Sequence, residues 1–271
     1  MRAQRPSTGP SAEERLAPGR RPPGWSIGRQ RWRQLLFLHW EAPAEALRPL
    51  VPAGLDLDTY EGRAYVGVTP FVLRDAIPWL TPSAPVLGRL ARRAPLPGLS
   101  FLELNVRTYV HRGGRQPGVW FFSLDASSRA AVLAARAAFR LPYYHATMRI
   151  AYQGGWTHYV SDRRDQRSPG PLPGRFSARY RAGESVGTAE PGTLEHFFVE
   201  RYLLYADWGA AGLKVGQVHH PPYPLQRAQV EVDPESATLL EADRLPRPSG
   251  PPHALYSPGV DVEIFPLRHA R

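Results

Sequence analysis

Two alternating stretches joined by glycines constrain the fold of this 271-residue chain more than any other feature. Residues 101–110 (FLELNVRTYV) and residues 120–125 (WFFSLD) alternate between two kinds of side chain, and residues 111–118 (HRGGRQPG) lie between them. Successive side chains of a strand face opposite sides of a sheet, so a period of two predicts strands, and the glycines predict a hairpin turn. An antiparallel β-hairpin is therefore the expected centre of the fold.

One face of the first predicted strand is polar. The leucines, valines and threonine of residues 101–110 share one side, and the other side carries Phe101, Glu103, Asn105, Arg107 and Tyr109. Two interpretations are open. This face is solvated and pairs its charges with neighbouring strands, as one face of an antiparallel sheet usually does. Alternatively, it forms the wall of a polar ligand cavity inside a curved sheet.

Local patterns predict the elements around this hairpin. Ser127 or Ser128 caps an alanine-rich helix over residues 129–139, which ends before Pro142 because the residue before a proline avoids the helical region. Residues 43–50 predict a short helix, and Gly154-Gly155 predicts a second hairpin turn. Further strands are predicted at residues 34–40, 64–73, 176–182, 226–232 and 256–265.

A second longer helix is predicted from Leu194 to about Tyr205, capped by Thr193. The charges of Glu200 and Arg201 lie within it. They either form local ion pairs on an amphipathic helix, or one of them faces a cavity.

Composition limits the architecture and the chemistry. Thirty prolines and 24 glycines favour many turns over long helices, and 42% hydrophobic content suits one large domain or two small ones. Without cysteine there is neither a disulfide framework nor a thiolate metal site. The net charge is +10, but residues 1–33 hold eight arginines against two glutamates. We expect residues 1–28 to be a disordered basic Pro/Arg-rich tail and residues 29–271 to be a single domain.

Several functional classes lack support in the sequence. No basic stripe with aromatic platforms indicates nucleic-acid binding, and no apolar run approaches the ~20 residues of a membrane span. The adjacent His219 and His220 would point to opposite faces of a strand, so we expect neither a metal nor another cofactor. A soluble cytoplasmic protein is the expected default. The proline-rich residues 75–99 either cover a pocket mouth or form a surface excursion with a short helix at residues 85–92.

The segments SFLELNVRTYV, GVWFFSLDASS, FRLPYYHATM and GVDVEIFPL resemble the YqjF-like proteins, a family of unknown function (domain of unknown function 2071). The resemblance covers roughly residues 30–268. That family is in turn similar to the acetoacetate decarboxylase-like fold superfamily. The resemblance implies a mainly β protein whose curved antiparallel sheets form a cone-like barrel around a central cavity, and by analogy a homo-oligomer.

The resemblance can be followed to the residues of the decarboxylase site. The segment from Arg136 to Tyr144 is similar to the decarboxylase segment whose first lysine forms a Schiff base with a keto acid and whose second lysine lowers the pKa of the first. Both lysine positions are tyrosines here, Tyr143 and Tyr144, and a phenol cannot form an imine. The protein is therefore not expected to be a Schiff-base decarboxylase.

The other decarboxylase site residues match only in part. One of the two site glutamates matches Glu103, and the other falls at Tyr65. The substrate-binding arginine falls near Glu41, or at Trp40 if the register slips by one. Lys214 is the only lysine in the chain, and it lies in an unrelated segment.

Two functional hypotheses follow from these residues. In the first, the protein binds a small acidic or carbonyl-containing molecule in a cavity, with Arg107 or Arg136 holding the acidic or carbonyl group. In the second, it is a lysine-independent hydratase, isomerase or lyase on a small carbonyl compound, with Glu103 as general base and Tyr143 or Tyr144 as hydrogen-bond donor. The expected cavity lining is Tyr65, Glu103, Asn105, Arg107, Tyr109, Arg136, Tyr143 and Tyr144.

Overall fold

A computed structural model describes residues 9–78 and 98–270, and the fold is mainly β, as the sequence predicts. The strands in this part of the chain are β1 (Gly28–Ala42), β2 (Asp56–Leu57), β3 (Ala64–Pro78), β4 (Leu99–Arg112), β5 (Arg115–Ala126), β6 (Tyr143–Gln153), β7 (Trp156–Arg163), β8 (Gly174–Gly187), β9 (Leu203–Asp207), β10 (Leu213–His219), β11 (Leu225–Val232), β12 (His253–Ile264) and β13 (Arg268–His269). The α-helices there are α1 (Ala12–Leu16), α2 (Ala44–Leu47), α3 (Arg129–Phe139), α4 (Leu194–Val199) and α5 (Ala237–Ala242).

The strands form one large curved sheet that closes on itself twice. The order β5-β6-β7-β8-β11-β12-β1-β3-β4 returns to β5 through the β4–β5 hairpin, which gives a ring of nine strands. A second ring closes where β10 pairs with β12 and β9 pairs with β5. Most pairs are antiparallel, but β5 runs parallel to both β6 and β9. The two rings share β12, β1, β3, β4 and β5.

Sharing these strands buries both of their faces. One core cluster joins Leu38, Val68 and Val106 with residues of β7, β8 and α5, all on the side of the nine-stranded ring. Another joins Phe37 and Tyr109 with residues of α4 and β10, on the side of the second ring. Alternate residues of β1, β3 and β4 thus enter different cores, because side chains alternate across a strand.

Most locally predicted elements are confirmed. The hairpin of β4 and β5 turns at Gly113 and Gly114, both with positive φ, and Gly154 and Gly155 make the turn between β6 and β7. Ser128 caps α3, where its side chain accepts a hydrogen bond from the N–H of Ala131 at 3.3 Å. These features depend on neighbouring residues only, and for that reason the sequence pattern is sufficient to predict them.

The helix predicted from Leu194 to Tyr205 is too long. Helix α4 ends at Val199, and the chain continues into β9 at Leu203. The local ion pairs are also wrong: Arg201 binds Asp58 at 2.8 Å, a residue 143 positions away. Tertiary pairing of β9 with β10 and β5 outweighs the helical spacing of the aromatic residues.

The structure describes the basic N-terminal segment from residue 9 onward, and part of this segment contacts the rest of the domain. Helix α1 places Arg15 against Asp58, with two hydrogen bonds of 2.7 Å. Gln217 donates to the carbonyl of Pro18 at 2.8 Å. Asp58 is buried, and two arginines outweigh the effect of its burial, so its pKa lies below the ordinary value. A specific buried acceptor explains a contact that composition alone does not indicate.

Part of the proline-rich stretch, residues 79–97, lies outside the described residues, and so does the short helix considered for residues 85–92. Among the helices that are described, none has the length and apolar character needed to cross a membrane.

Candidate ligand-binding site

The polar face of β4 is buried, so its interpretation as a solvated sheet face is wrong. Glu103, Asn105 and Arg107 are 4%, 6% and 9% exposed, while Leu104 and Val106 on the opposite face have no exposure at all. The reason is that β4 belongs to both rings. We call Glu103, Asn105, Arg107 and Tyr109 the polar row.

Glu103 lies at one end of the polar row beside Tyr143 of β6. The Tyr143 hydroxyl donates to Glu103 Oε2 at 3.2 Å. Burial raises the pKa of Glu103 from 4.5 to about 8, against the smaller opposing effect of this hydrogen bond, and no cation of the described part of the chain contributes. Burial likewise raises the pKa of Tyr143, helped by Glu103. At neutral pH, Glu103 is therefore mainly a carboxylic acid that can donate a proton.

Arg107 is a buried cation further along the same face. Its Nη2 donates to the Phe198 carbonyl at 3.2 Å, and its Nε has no hydrogen-bond partner among the described residues. No carboxylate in residues 9–78 or 98–270 forms an ion pair with it, and the rest of the chain contains neither aspartate nor glutamate. A guanidinium buried in this way has strong unused capacity to bind an anion.

Two further polar atoms between these ends lack partners. Thr69 of β3 stands directly opposite Asn105 of β4 in the sheet register. Within the described part of the molecule, Thr69 Oγ1 and Asn105 Oδ1 are buried without a hydrogen bond. Buried polar atoms are nearly always satisfied, so these two atoms are available to hydrogen-bond a water molecule or a ligand.

His39 and Tyr109 close the far end of the polar row. The Tyr109 hydroxyl donates to the Phe198 carbonyl at 3.0 Å and lies 2.6 Å from His39 Nε2. Since a phenol has one proton, His39 Nε2–H donates to Tyr109, and Nδ1 is left as an acceptor without a partner in the described structure. Burial, with the charge of Arg107, holds the pKa of His39 well below its usual value. His39 is therefore neutral.

The structure brings only some of the sequence-predicted residues together. Tyr65 packs edge-on against Phe198, at the Tyr109 end of the site. Glu41, aligned with the decarboxylase arginine, is exposed and pairs loosely with Arg63 at 3.8 Å. Arg136 does not join the polar row.

Arg136 instead lines an outer cleft of about 440 Å³ between α3 and the sheet. There it pairs with Asp165 at 3.0 Å, and His145 lines the same cleft. Arg136 is not among the groups that affect the pKa of Glu103.

Tyr144 also differs from the prediction. It follows Tyr143 directly in β6, and adjacent strand residues face opposite sides, so only one of the two tyrosines can reach Glu103. The Tyr144 ring packs 4.8 Å from the guanidinium carbon of Arg163.

Arg163 is the centre of a buried ion network that the sequence does not reveal. It donates to Asp125 at 2.6 Å, to Asp243 at 2.5 Å and to Ser123 at 2.6 Å, and all of these side chains are buried. Burial raises the pKa of Asp125 to about 6 despite Arg163, and it raises the pKa of Asp243 as well. The network lies on the core side of the nine-stranded ring and has a structural role.

The only lysine of the sequence is remote from the polar row. Lys214 lies on β10 with its amine 2.6 Å from His269 Nε2 and near the Trp208 ring. Over residues 9–78 and 98–270, no three His, Cys, Asp or Glu side chains cluster as metal ligands would.

Comparison with known proteins places this chain among uncharacterised relatives. The DUF2071 model, described as an uncharacterized conserved protein, matches residues 29–261. The uncharacterized protein YqjF of Bacillus subtilis (strain 168) is 38% identical over 249 residues, which cover 91% of this chain and 94% of that protein.

Two solved structures show the fold. The enduracididine biosynthesis enzyme MppR complexed with pyruvate has a TM-score of 0.58 at 11% identity, covering 90% of this chain and 91% of its own. Acetoacetate decarboxylase from Legionella pneumophila has a TM-score of 0.56 at 10% identity, covering 97% and 96%. The acetoacetate decarboxylase-like fold implied by the sequence resemblance is thereby confirmed.

Proposed function

This chain belongs to the DUF2071 family of uncharacterised conserved proteins, and we propose that it binds a small organic acid that carries a carbonyl group. The observation that carries the proposal is the unmatched charge and hydrogen-bonding capacity of the polar row. Over residues 9–78 and 98–270, Arg107 is a buried cation without an acidic partner, and Glu103 is a buried acid without a cationic one.

The two groups differ in what they offer a ligand. Arg107 is charged, and its Nε–H, which has no partner among the described residues, can donate to a ligand's carboxylate. Protonated Glu103 is a neutral O–H donor, which suits a carbonyl oxygen, and the Tyr143 hydroxyl holds Glu103 in place by donating to its Oε2. Such a ligand would supply hydrogen-bond and charge partners to buried groups that otherwise destabilise the folded protein.

The fold supports the choice of first ligands to test. The neighbouring enzyme MppR was solved with pyruvate, a compound in which a carboxylate adjoins a carbonyl. For this chain, isothermal titration with pyruvate and longer oxo acids should detect binding by at least one compound.

Variants then test whether the polar row is the site. Arg107→Gln should weaken binding of every acid that binds by at least about tenfold, the usual effect of losing a charge-assisted hydrogen bond. Arg136→Gln is the matched control, since Arg136 lies in the outer cleft, and it should bind like wild type. Binding of no oxo acid, or equal binding by Arg107→Gln and wild type, would refute the proposal.

Imine chemistry is not part of this function. The sequence resemblance aligns Tyr143 and Tyr144 with the two decarboxylase lysines, and Lys214 contacts His269. The ligand is therefore held by hydrogen bonds and charge alone.

A lysine-independent enzyme is the second candidate, favoured by the contact between Glu103 and Tyr143. The ionised fraction of Glu103 would remove a proton from the carbon next to the carbonyl, and Tyr143 would donate to the developing oxyanion. Exchange of that hydrogen for deuterium, followed by NMR in heavy water, separates the candidates. An enzyme exchanges it faster as the pH rises toward 8 and loses exchange in Glu103→Gln. A binding protein returns the ligand unlabelled.

A further inference from the structure

Glu103 and Arg107 lie too far apart in the polar row for one very small ligand to contact both. Glu103 and Arg107 are four residues apart on the same face of β4, which places their Cα atoms about 13 Å apart at a rise of about 3.4 Å per residue. Side chains stand roughly perpendicular to a sheet, so their head groups keep much of this separation. In agreement, Arg107 is not among the groups that affect the pKa of Glu103.

Each head group is also occupied at a different place. Glu103 is held by Tyr143 from the β6 side. The Arg107 guanidinium is held by the Phe198 carbonyl and lies 5.9 Å from the centre of the Tyr109 ring. Neither contact draws the two head groups together, so the ends of the row act as separate binding points.

The middle of the row is also prepared for a ligand. Asn105 Oδ1 and Thr69 Oγ1 face each other across β4 and β3, halfway between the two ends, and both lack partners in the part of the chain that is described. Two small molecules bound at the two ends would leave these atoms unsatisfied. One elongated molecule lying along the row would bring its middle next to them, where a polar group such as a hydroxyl would satisfy them and methylene groups would not.

We infer that the ligand is an oxo acid whose carbonyl group is remote from its carboxylate, bound with the carboxylate at Arg107 and the carbonyl at Glu103 and Tyr143. This inference rests on the proposed function and specifies its ligand. With the head groups as far apart as the two Cα atoms, hydrogen bonds of about 3 Å at each end leave about 7 Å between the ligand's polar groups. At about 1.25 Å per carbon of a zigzag chain with bonds of about 1.5 Å, that distance corresponds to five or six bonds.

A series of isomers tests the inference without changing the protein. The 2-, 4-, 5- and 6-oxoheptanoic acids share one composition and one chain length, so they differ only in the position of the carbonyl. Isothermal titration of the wild-type protein should show affinity rising from the 2-oxo to the 6-oxo isomer by at least about tenfold, because only the remote carbonyl reaches Glu103 while the carboxylate is at Arg107.

The outcomes separate this inference from the proposed function. If the 2-oxo isomer binds as tightly as the 6-oxo isomer, the two-ended ligand is wrong while the proposed function stands. If none of the four acids binds, and pyruvate does not bind either, the proposed function itself fails.

A variant locates the carbonyl end. Glu103→Leu, of similar volume, should remove the preference for the 6-oxo isomer while the carboxylate still binds, and Arg136→Gln should keep the preference. Because the wild-type series alone decides the inference, poor folding of Glu103→Leu would not prevent the test. A preference that survives in well-folded Glu103→Leu would overturn the assignment of the carbonyl end.

Discussion

Replacing Glu103 by glutamine should stabilise the protein at neutral pH and leave its stability almost unchanged in mild acid. Burial raises the pKa of Glu103 from 4.5 in the unfolded chain to about 8 in the folded protein. Because the folded pKa is the higher one, this group's contribution to stability is complete below pH 4.5 and is lost as the pH rises through about 8. Glutamine is neutral at every pH and has almost the same shape, so it removes this dependence.

The size of the effect follows from linkage. Between the two pKa values, each pH unit lowers the wild-type free energy of unfolding by about 1.36 kcal/mol, the energy of one pKa unit. From pH 4.5 to pH 7 this amounts to about 3 kcal/mol. A difference of this size is a large fraction of the total stability of a typical domain.

Urea unfolding of wild type and Glu103→Gln at pH 4, 5, 6, 7 and 8 measures this effect. Taking the difference between the two proteins cancels the titration of all other groups, and equal urea slopes would show that both unfold the same structure. The difference in free energy of unfolding should grow by about 3 kcal/mol in favour of the variant between pH 4 and pH 7. The exposed Glu45→Gln control should give a difference within about 0.5 kcal/mol at every pH.

A difference between wild type and Glu103→Gln that does not change with pH would refute this reasoning. It would mean that Glu103 is ionised in the folded protein and has a counter-ion, so that the polar row is not an uncompensated site. A variant that loses stability relative to wild type as the pH rises would contradict the reasoning more strongly, because it would require a pKa lowered by folding.

Three more predictions concern the network, the N-terminal segment and the absent imine. Arg163→Met should lower the free energy of unfolding by about 3–5 kcal/mol at pH 7, because it leaves two buried carboxylates without a cation, and by less at pH 5, where these carboxylates are more protonated. Urea unfolding measures this loss. A loss below about 1 kcal/mol, the value expected for the control Arg136→Met at a partly exposed ion pair, would contradict the prediction. Arg15→Ala should cost about 1–3 kcal/mol at pH 7 and less near pH 3, because the lowered pKa of Asp58 makes its contribution present above the unfolded pKa and lost as the pH falls through the folded one; unchanged thermal stability at pH 7 would show that the N-terminal segment is not docked. Borohydride added with pyruvate should leave the protein mass unchanged, and a reduced adduct at Lys214 seen by mass spectrometry would overturn the exclusion of imine chemistry.

Local sequence patterns predict individual strands, turns and helices, but they do not predict which residues surround the site. The period of two in β4, the glycines after it and the serine cap of α3 act between near neighbours, so the sequence predicts them. That both faces of β4 are buried depends on closures between distant strands, such as Val218 with Ile264. No short-range pattern contains that information.

The same limit explains which site residues were missed. His39 lies in an apolar run, and Thr69 gains its significance only from the register that places it opposite Asn105. Asp125 and Arg163 look like ordinary charges near strand ends until Asp243 joins them. These contacts join residues at least 36 positions apart, so they are visible only in the fold.

One distinction could have been made from the sequence. Tyr143 and Tyr144 are neighbours in a strand, and alternation sends them to opposite faces. Only Tyr143 reaches Glu103, at 3.2 Å, although the resemblance to the decarboxylases aligns both positions with site residues.

A crystal structure grown with 6-oxoheptanoate tests the central claim most directly. We expect ligand density along the polar row, with the carboxylate within hydrogen-bonding distance of Arg107 Nε and the carbonyl oxygen beside Glu103 and Tyr143. Density in the outer cleft beside Arg136 instead, or an unoccupied polar row at a concentration that saturates binding in solution, would contradict it.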